Sequence, residues 1–568
     1  MKTKTTLLLT ICCLLNTFLS FSQSLNWQWA TASKGPSYQE GYSIAADKNN
    51  NVYLGGWFGG DSITFDSTTL FNGGASNSHS NSFITKYSPS GQVLWAASPI
   101  NTAFVSVAGL SIATDENGSA YVTGQFGGDS VTFGNIILHV SISNFAEMFI
   151  TKYDSSGNAL WAKGASGYTT AGYGVATDKS GNAYVTGYFG DNICSFGGIT
   201  VVNSSITSAD VFIVKYDGSG NVLWARCGKS PGDSRGRAIA TDKNNNVYVT
   251  GLFSGDSITF GSKTLYLSSP NSIDIFIAKY DSAGNALWAK SAGYNYENDG
   301  FAIATDGNDN VYITGRFSGD SITFGPYTFY NATPQLYDMF IAKYDTKGNV
   351  LWARSAGGNL DDIGYSVATD TNYNVYVTGG FASDSIPFGS NILQFSAGAS
   401  DPMFIVTYDS VGNVLCATAL ASGGDDWSAV CVDQTGNAYL GGDFFANLFI
   451  VGADSLNLTG QENIFVAKFK CGINIATDVV NVNESESLQI YPNPFSNHAN
   501  VKYSIPPGSK NATLIIYDLL GRQRNTYKLS NAEGQIEINA GNLSSGIYFC
   551  SLVVDGKNVE ARKMVTQE

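Results

Sequence analysis

The chain has 568 residues, 63 of them glycine, with 14% charged and 13% aromatic side chains and a formal net charge of −15. So few charges exclude coiled coils, helical solenoids and charge-rich disorder, and so acidic a balance gives nucleic acid or an anionic membrane surface no electrostatic footprint. Length alone allows several domains of roughly 100–200 residues, while the density of Gly, Asn, Ser and Thr points to many short strands and tight turns.

In chain order, Lys2 and Lys4, the apolar run Leu7 to Leu15 and the small residues around Ser22 read as a secretory signal peptide over residues 1–22. Its cleavage removes two lysines and takes the charge to −17. The apolar run falls far short of the ~20 residues that span a bilayer, and no later stretch reaches that length. The expected product is an exported monomer without a transmembrane segment.

Six cysteines follow the leader: Cys194, Cys227, Cys416, Cys431, Cys471 and Cys550. They are too sparse for a disulfide framework and lie in no metal-ligand spacing. With only His79, His139 and His498 beside them, neither a metal nor a cofactor is expected. Cys416 and Cys431 fall at opposite edges of neighbouring repeats and should not pair; Cys194 and Cys227 are the candidate pair for a disulfide.

Self-comparison shows a repeat. Variants of Ile-Ala-Thr-Asp end at Asp47, Asp115, Asp178, Asp242, Asp306, Asp370 and Asp433, spaced 63 to 68 residues apart. Each opens a hairpin of two strands, A and B. A second hairpin, strands C and D, starts at Phe83, Phe149, Phe212, Phe276, Phe340, Phe404 and Phe465, and strand D carries Trp95, Trp161, Trp224, Trp288 and Trp352. Four strands per unit, without a 3.6-residue apolar period, suit a propeller blade. Small residues such as Ala240 on strand A suit a crowded centre, and the tryptophans suit a wide rim that needs filling. The last unit lacks strand D, while an orphan Trp27-Gln28-Trp29-Ala30 precedes the first unit. The expectation is an all-β, seven-bladed β-propeller over 23–471 whose N-terminal strand closes the last blade.

The segment Gly364-Tyr-Ser-Val-Ala-Thr-Asp-Thr-Asn-Tyr-Asn-Val-Tyr-Val-Thr-Gly379 resembles the bacterial SBBP-type β-propeller repeat. The resemblance implies a fold and not an activity. Short A–B and C–D turns on one face leave the variable D–A and B–C connections on the other as the place to bind a ligand. The candidates there are Tyr38, Tyr168, Arg235, Tyr294, Tyr296, Asp361, Asp362, Asp425, Asp426 and Trp427, because aromatic faces stack on sugars and carboxylates accept hydroxyl hydrogen bonds. Asp361/Asp362 and Asp425/Asp426 invite a glycosidase reading, but adjacent loop residues diverge and no catalytic motif accompanies them. The seven strand-ending aspartates read as turn caps, with calcium in a subset such as Asp306-Gly307-Asn308-Asp309-Asn310 as the alternative, though without the EF-hand spacing and its terminal Glu. Asp-Ser-Ile/Val recurs at Asp61, Asp129, Asp256, Asp320 and Asp384, as a turn before a short strand or as a resemblance to a Bacteroidota O-glycosylation sequon.

A polar linker, 472–487, precedes a tail with Tyr491-Pro492-Asn493-Pro494-Phe495, Asp518, Gly521, Gly546, Tyr548, Gly556 and Lys563 as landmarks. These resemble the type A C-terminal sorting domain of the type IX secretion system, over 488–568. The resemblance implies an Ig-like β-sandwich recognised by the outer-membrane translocon and delivery to the cell surface or medium. The function expected is a binding or adhesion module for a glycan, peptide or protein. The competing classes are an extracellular polysaccharide hydrolase or lyase and a structural surface-layer component.

Overall fold

Strands A to D of one repeat pair in sequence order as an antiparallel sheet, for example Ser234–Thr241, Val247–Phe253, Asp274–Tyr280 and Ala286–Ala292. The middle two are buried along their whole length, as strands covered on both faces must be. The protein is seen here as a computed structural model that describes residues 24–566 except 73–79, 102–106, 142–144, 168, 191, 206, 332, 395–401, 422–426, 473–487, 507–508, 510, 519–522, 540, 542, 544–545 and 556. The leader and residues 473–487 of the linker fall outside the described residues, as do Tyr168, Asp425, Asp426, Gly521 and Gly556.

The chain divides into two compact units, 1–473 and 474–568. Among the described residues of the first, seven four-stranded sheets follow one another, the third extended by a neighbouring hairpin. In the seventh, Ser428–Val432, Ala438–Phe444 and Asn463–Gly472 are joined by the N-terminal strand Ser24–Ala32, paired from Ser24 with Gly472 to Ala32 with Phe465. The first and last segments of this unit therefore complete one sheet.

Each Asp-Ser-Ile/Val opens a small hairpin within the B–C connection, such as Ser257–Phe260 with Lys263–Tyr266. Its alternation buries Ile258 and Phe260 and leaves Tyr266 outside.

Neighbouring sheets are latched by one repeated device. Trp95 Nε1 and Lys86 Nζ both donate to the Ser155 carbonyl in the C–D turn of the next sheet, at 3.0 and 3.3 Å. Trp161 with Lys152, Trp224 with Lys215, Trp288 with Lys279 and Trp352 with Lys343 repeat it, and Trp29 with Lys468 carries it from the seventh sheet to the first. The turn glycine lies flat beneath the indole. Gly157 has φ +89°, and a β-carbon there would approach Trp95 to 2.7 Å, so this position requires glycine on both counts.

One interface cannot be built this way. The seventh sheet takes strands C and D from opposite ends of the repeat region, so it has no C–D turn to offer a carbonyl. In the sixth sheet Thr407 replaces the lysine and Cys416 the tryptophan, and Cys416 forms a disulfide with Cys471, Cα to Cα 6.4 Å, at the end of the seventh sheet's strand C. A covalent bond stands where the hydrogen-bonded latch is missing. The expected Cys194–Cys227 bond is not formed. Cys194 is wholly buried in the hairpin strand Ile193–Phe196, while Cys227 Sγ on strand D turns to the Val202 carbonyl at 3.7 Å.

The second unit has a three-stranded sheet, Leu488–Tyr491, His498–Ser504 and Glu533–Asn539, and a four-stranded one, Gln523–Leu529, Ala512–Asp518, Gly546–Val554 and Lys557–Thr566. They share a core containing Val501, Leu514, Ile538 and Leu552. Asn493 ties the last strand down: its Oδ1 accepts from the Val565 amide at 2.8 Å, and its Nδ2 donates to the Lys563 carbonyl at 2.7 Å.

Candidate functional site

Strand A is the inner edge of every sheet, so its second row of backbone groups faces a common channel. Thr114, Thr177, Thr241, Thr305 and Thr369 each donate a hydroxyl to the strand A carbonyl of the preceding sheet, at 2.7 to 2.8 Å. Val432 holds this position in the seventh sheet. The channel opens at two mouths.

The mouth beside the A–B turns has a cavity of about 410 Å³ bordered by the strand-ending aspartates. Their side chains are committed. Asp242 Oδ1 accepts from the Asn244 and Asn246 amides, and Oδ2 accepts from Asn246 Nδ2 and Tyr248 OH, with Lys279 Nζ 3.6 Å away. Burial pushes the Asp115 and Asp178 carboxyls up, yet turn hydrogen bonds and the facing lysines hold both below the ordinary range. These aspartates cap turns, and among the described residues no group of His, Cys, Asp and Glu is placed to hold a metal.

The opposite mouth is a cavity of about 400 Å³. Its wall is made by a β-bulge that recurs one residue after a glycine in strand A, where Tyr42, Tyr173, Arg237, Phe301 and Tyr365 each sit opposite no single partner. A bulge re-aims a side chain out of the pleat, and here it sends a residue that differs between repeats into the channel mouth. The preceding glycine is obligatory: a β-carbon at Gly172 would collide with the Thr123 hydroxyl of the preceding sheet. Trp427, at the start of the seventh sheet, completes the cup. It stacks on Tyr365 with ring centres 4.8 Å apart and meets Tyr42 and Phe301 edge-on at 5.7 and 6.0 Å.

The cup's arginine is paired. Arg237 lies over the Tyr173 and Phe301 rings and is bound at 2.8 Å to the fully buried Asp299. Burial raises the Asp299 carboxyl, opposed by Arg237, and that carboxylate in turn holds the Arg237 guanidinium above its usual range against its own burial. Tyr42 donates its hydroxyl to Glu40, and Trp57 Nε1 donates to both, 2.9 Å to Tyr42 and 3.2 Å to Glu40. Behind them the buried Glu462 hydrogen bonds Asp443, and burial pushes Glu462 up to about 7.

Of the residues expected from sequence, Trp427 reaches the cup. Tyr38, Tyr294 and Tyr296 stand about half exposed on the outer loops. Arg235 lies over the Tyr188 ring, 3.7 Å from Asp233. Asp361 accepts from the Tyr337 amide at 2.8 Å, whereas Asp362 is wholly buried and accepts from the Gly358 amide and Ser383 Oγ. The two adjacent carboxylates diverge. Tyr42, Tyr173, Phe301 and Tyr365 were missed, although the signal is legible: in Gly-x-(Ser/Gly/Ala)-(Ile/Val)-Ala, x runs through Tyr42, Leu110, Tyr173, Arg237, Phe301 and Tyr365 while its neighbours hardly change.

In the tail, Asp518 binds Arg524 at 2.7 Å, Tyr548 is buried, and Gly546 and Lys563 lie on paired strands. Pro492 and Pro494 flank Asn493 ahead of the His498–Ser504 strand.

Comparison with known proteins fits both units. The family described as the secretion system C-terminal sorting domain matches residues 489–567, and the one described as the β-propeller repeat, SBBP, matches residues 164–188. The chain therefore carries a β-propeller repeat and a type IX sorting domain, which directs export to the cell surface or the medium. It is 29% identical over 367 residues to the uncharacterized WD repeat-containing protein L264 of Acanthamoeba polyphaga mimivirus, covering 53% of this chain and 26% of that one. It is 23% identical over 366 residues to regulatory protein FlaEY of Caulobacter vibrioides, covering 58% and 37%. The matches thus span well under half the length of these curated relatives. Among solved structures, Sqt1 from Chaetomium thermophilum is similar at a TM-score of 0.36 and 10% identity, over 77% of this chain and 86% of that one.

Proposed function

We propose that the protein is a secreted, seven-bladed β-propeller that binds a glycan, peptide or protein ligand in the aromatic cup. In this reading residues 1–22 are a cleaved leader and the tail is an Ig-like sandwich engaged by the type IX translocon. The observation that carries the binding role is the bulge. It takes a position of strand A that changes between repeats while the residues on either side of it hardly do, and turns five such side chains into a single cavity of about 400 Å³, within the ~300–1,000 Å³ range of small-molecule sites.

A hydrolase is less well supported. Glycosidases need two carboxyls about 5 Å or more apart across the scissile bond. Here Asp299 is spent on Arg237, and Glu462 and Asp443 hydrogen bond each other.

An array of glycans and peptides, probed with the secreted protein and with its Phe301→Ala and Trp427→Ala forms, tests the role. Binding that both substitutions weaken at least tenfold is expected; binding that neither alters would remove the cup from the account.

A further inference from the structure

The serine that follows the bulge in three of the sheets shows what the cup is built to hold. Ser43, Ser111 and Ser366 each accept, through Oγ, the strand A amide of the next sheet: Ile112 at 3.0 Å, Val175 at 3.2 Å and Val430 at 3.1 Å. In three consecutive sheets the same position is Gly174, Ala238 and Ala302. The amides that would use it belong to Ile239, Ile303 and Val367. A β-carbon at Gly174 would stand 3.1 Å from the Ile239 nitrogen, so this glycine faces that amide at close range.

These amides cannot turn to strand B instead. The closing bond from the Asp242 amide to the Asn246 carbonyl sets the phase of the hairpin. Alternate pairs along an antiparallel ladder exchange no hydrogen bonds, which leaves Ile239, opposite Val249, with both its N–H and its C=O facing the channel. Among the described residues no side-chain acceptor meets the amides of Ile239, Ile303 or Val367. Buried backbone donors are satisfied by protein, water or ligand, so this arc at the floor of the cup offers alternating donors and acceptors to whatever fills it.

Resting on the binding role proposed above, we infer that the cup takes the end of an uncharged saccharide, its hydroxyls meeting the backbone arc of Ile239, Ile303 and Val367 and its apolar faces lying against the aromatic wall. A polyol supplies donors and acceptors together, which matches backbone N–H and C=O groups side by side. A carboxylated ligand would meet no uncompensated cation, because Arg237 is already bound to Asp299 at 2.8 Å.

The test restores to the arc the residue that other sheets carry. Ala238→Ser and Ala302→Ser together should place hydroxyls on the Ile303 and Val367 amides, as Ser366 does for Val430. Affinities of the full secreted protein are measured by calorimetry for neutral oligosaccharides, for uronate-containing ones of equal length and for proline-rich peptides. The expected result is preference for a neutral oligosaccharide and a loss of about tenfold in the double serine form, with an unchanged melting temperature. Preferred binding of a uronate or a peptide, or saccharide binding untouched by the two serines but lost in Trp427→Ala, overturns this inference and leaves the binding role standing. No binding by any member of the panel overturns both, and makes the arc a seat for water.

Discussion

Lys279 shows what one residue of the repeat does. Its ammonium, almost wholly buried, lies 3.6 Å from Asp242, over the Tyr248 ring at 4.7 Å, and donates to the Thr346 carbonyl of the next sheet. Removing one partner of a buried pair leaves an uncompensated charge, so Lys279→Met should cost about 3 kcal/mol in urea unfolding, and Asp242→Asn added to it should recover part of that loss. Titration works in two opposite directions. Burial pushes Asp338, Asp362 and Glu462 up to about 7, so the folded protein keeps protons that the unfolded chain releases. Their contribution is fully present below about pH 4 and falls as pH rises to about 7, by roughly 1 kcal/mol per pH unit for each group. Asp115, Asp178 and Asp433 are shifted down; their contribution is present above the ordinary carboxylate range and is lost as pH falls through it. Stability should therefore peak in mild acid, and Asp362→Asn should flatten the decline between pH 5 and 7 in a series of unfolding midpoints. An unchanged slope would show that Asp362 is ionised in the fold.

At the scale of elements, the seam is where the ring depends on chemistry other than hydrogen bonds. Cys416 and Cys471 are 55 residues apart, and a crosslink of that span contributes about 2–5 kcal/mol. Cys416→Ser with Cys471→Ser should lower stability by about that amount. It should also make Ser24–Ala32 and Asn463–Gly472 the first strands to exchange their amide protons, whereas Trp288→Ala should loosen only the contact between the fourth and fifth sheets. Uniform exchange across all seven sheets after cysteine removal would contradict the seam assignment. The closing strand was legible in the sequence, because a missing Leu-Trp-Ala at one end and an orphan Trp-Gln-Trp-Ala at the other can be counted. The disulfide was not: Cys471 sits where a C–D turn would begin, and only the register of Ser24–Ala32 on Asn463–Gly472 brings Cys471 to Cys416. In the tail, Asn493→Ala should free the Lys563–Val565 stretch, read as faster exchange there and as reduced export.

For the whole molecule, repetition explains both what could be read from sequence and what could not. Sheet order, strand spacing and turn capping recur seven times, so their signals reinforce one another. The cup arises from a one-residue bulge that shifts Tyr42, Tyr173, Arg237, Phe301 and Tyr365 out of alternation, and a period-two reading assigns them to sheet packing instead. Long, acidic and aromatic loops such as Tyr294 to Asp299 carry the louder sequence signal, yet Tyr294 and Tyr296 stand outside the cup and Asp299 serves as the counterion of Arg237. The central claim is that ligand enters at the bulge-lined mouth of the channel. Hydroxyl-radical footprinting of the secreted protein with its best array ligand tests this most directly. Protection confined to Tyr42, Tyr173, Phe301, Tyr365 and Trp427 is the predicted result; protection of Tyr294, Tyr296 or the outer hairpin residues Tyr266 and Tyr330, with the cup unchanged, would contradict it.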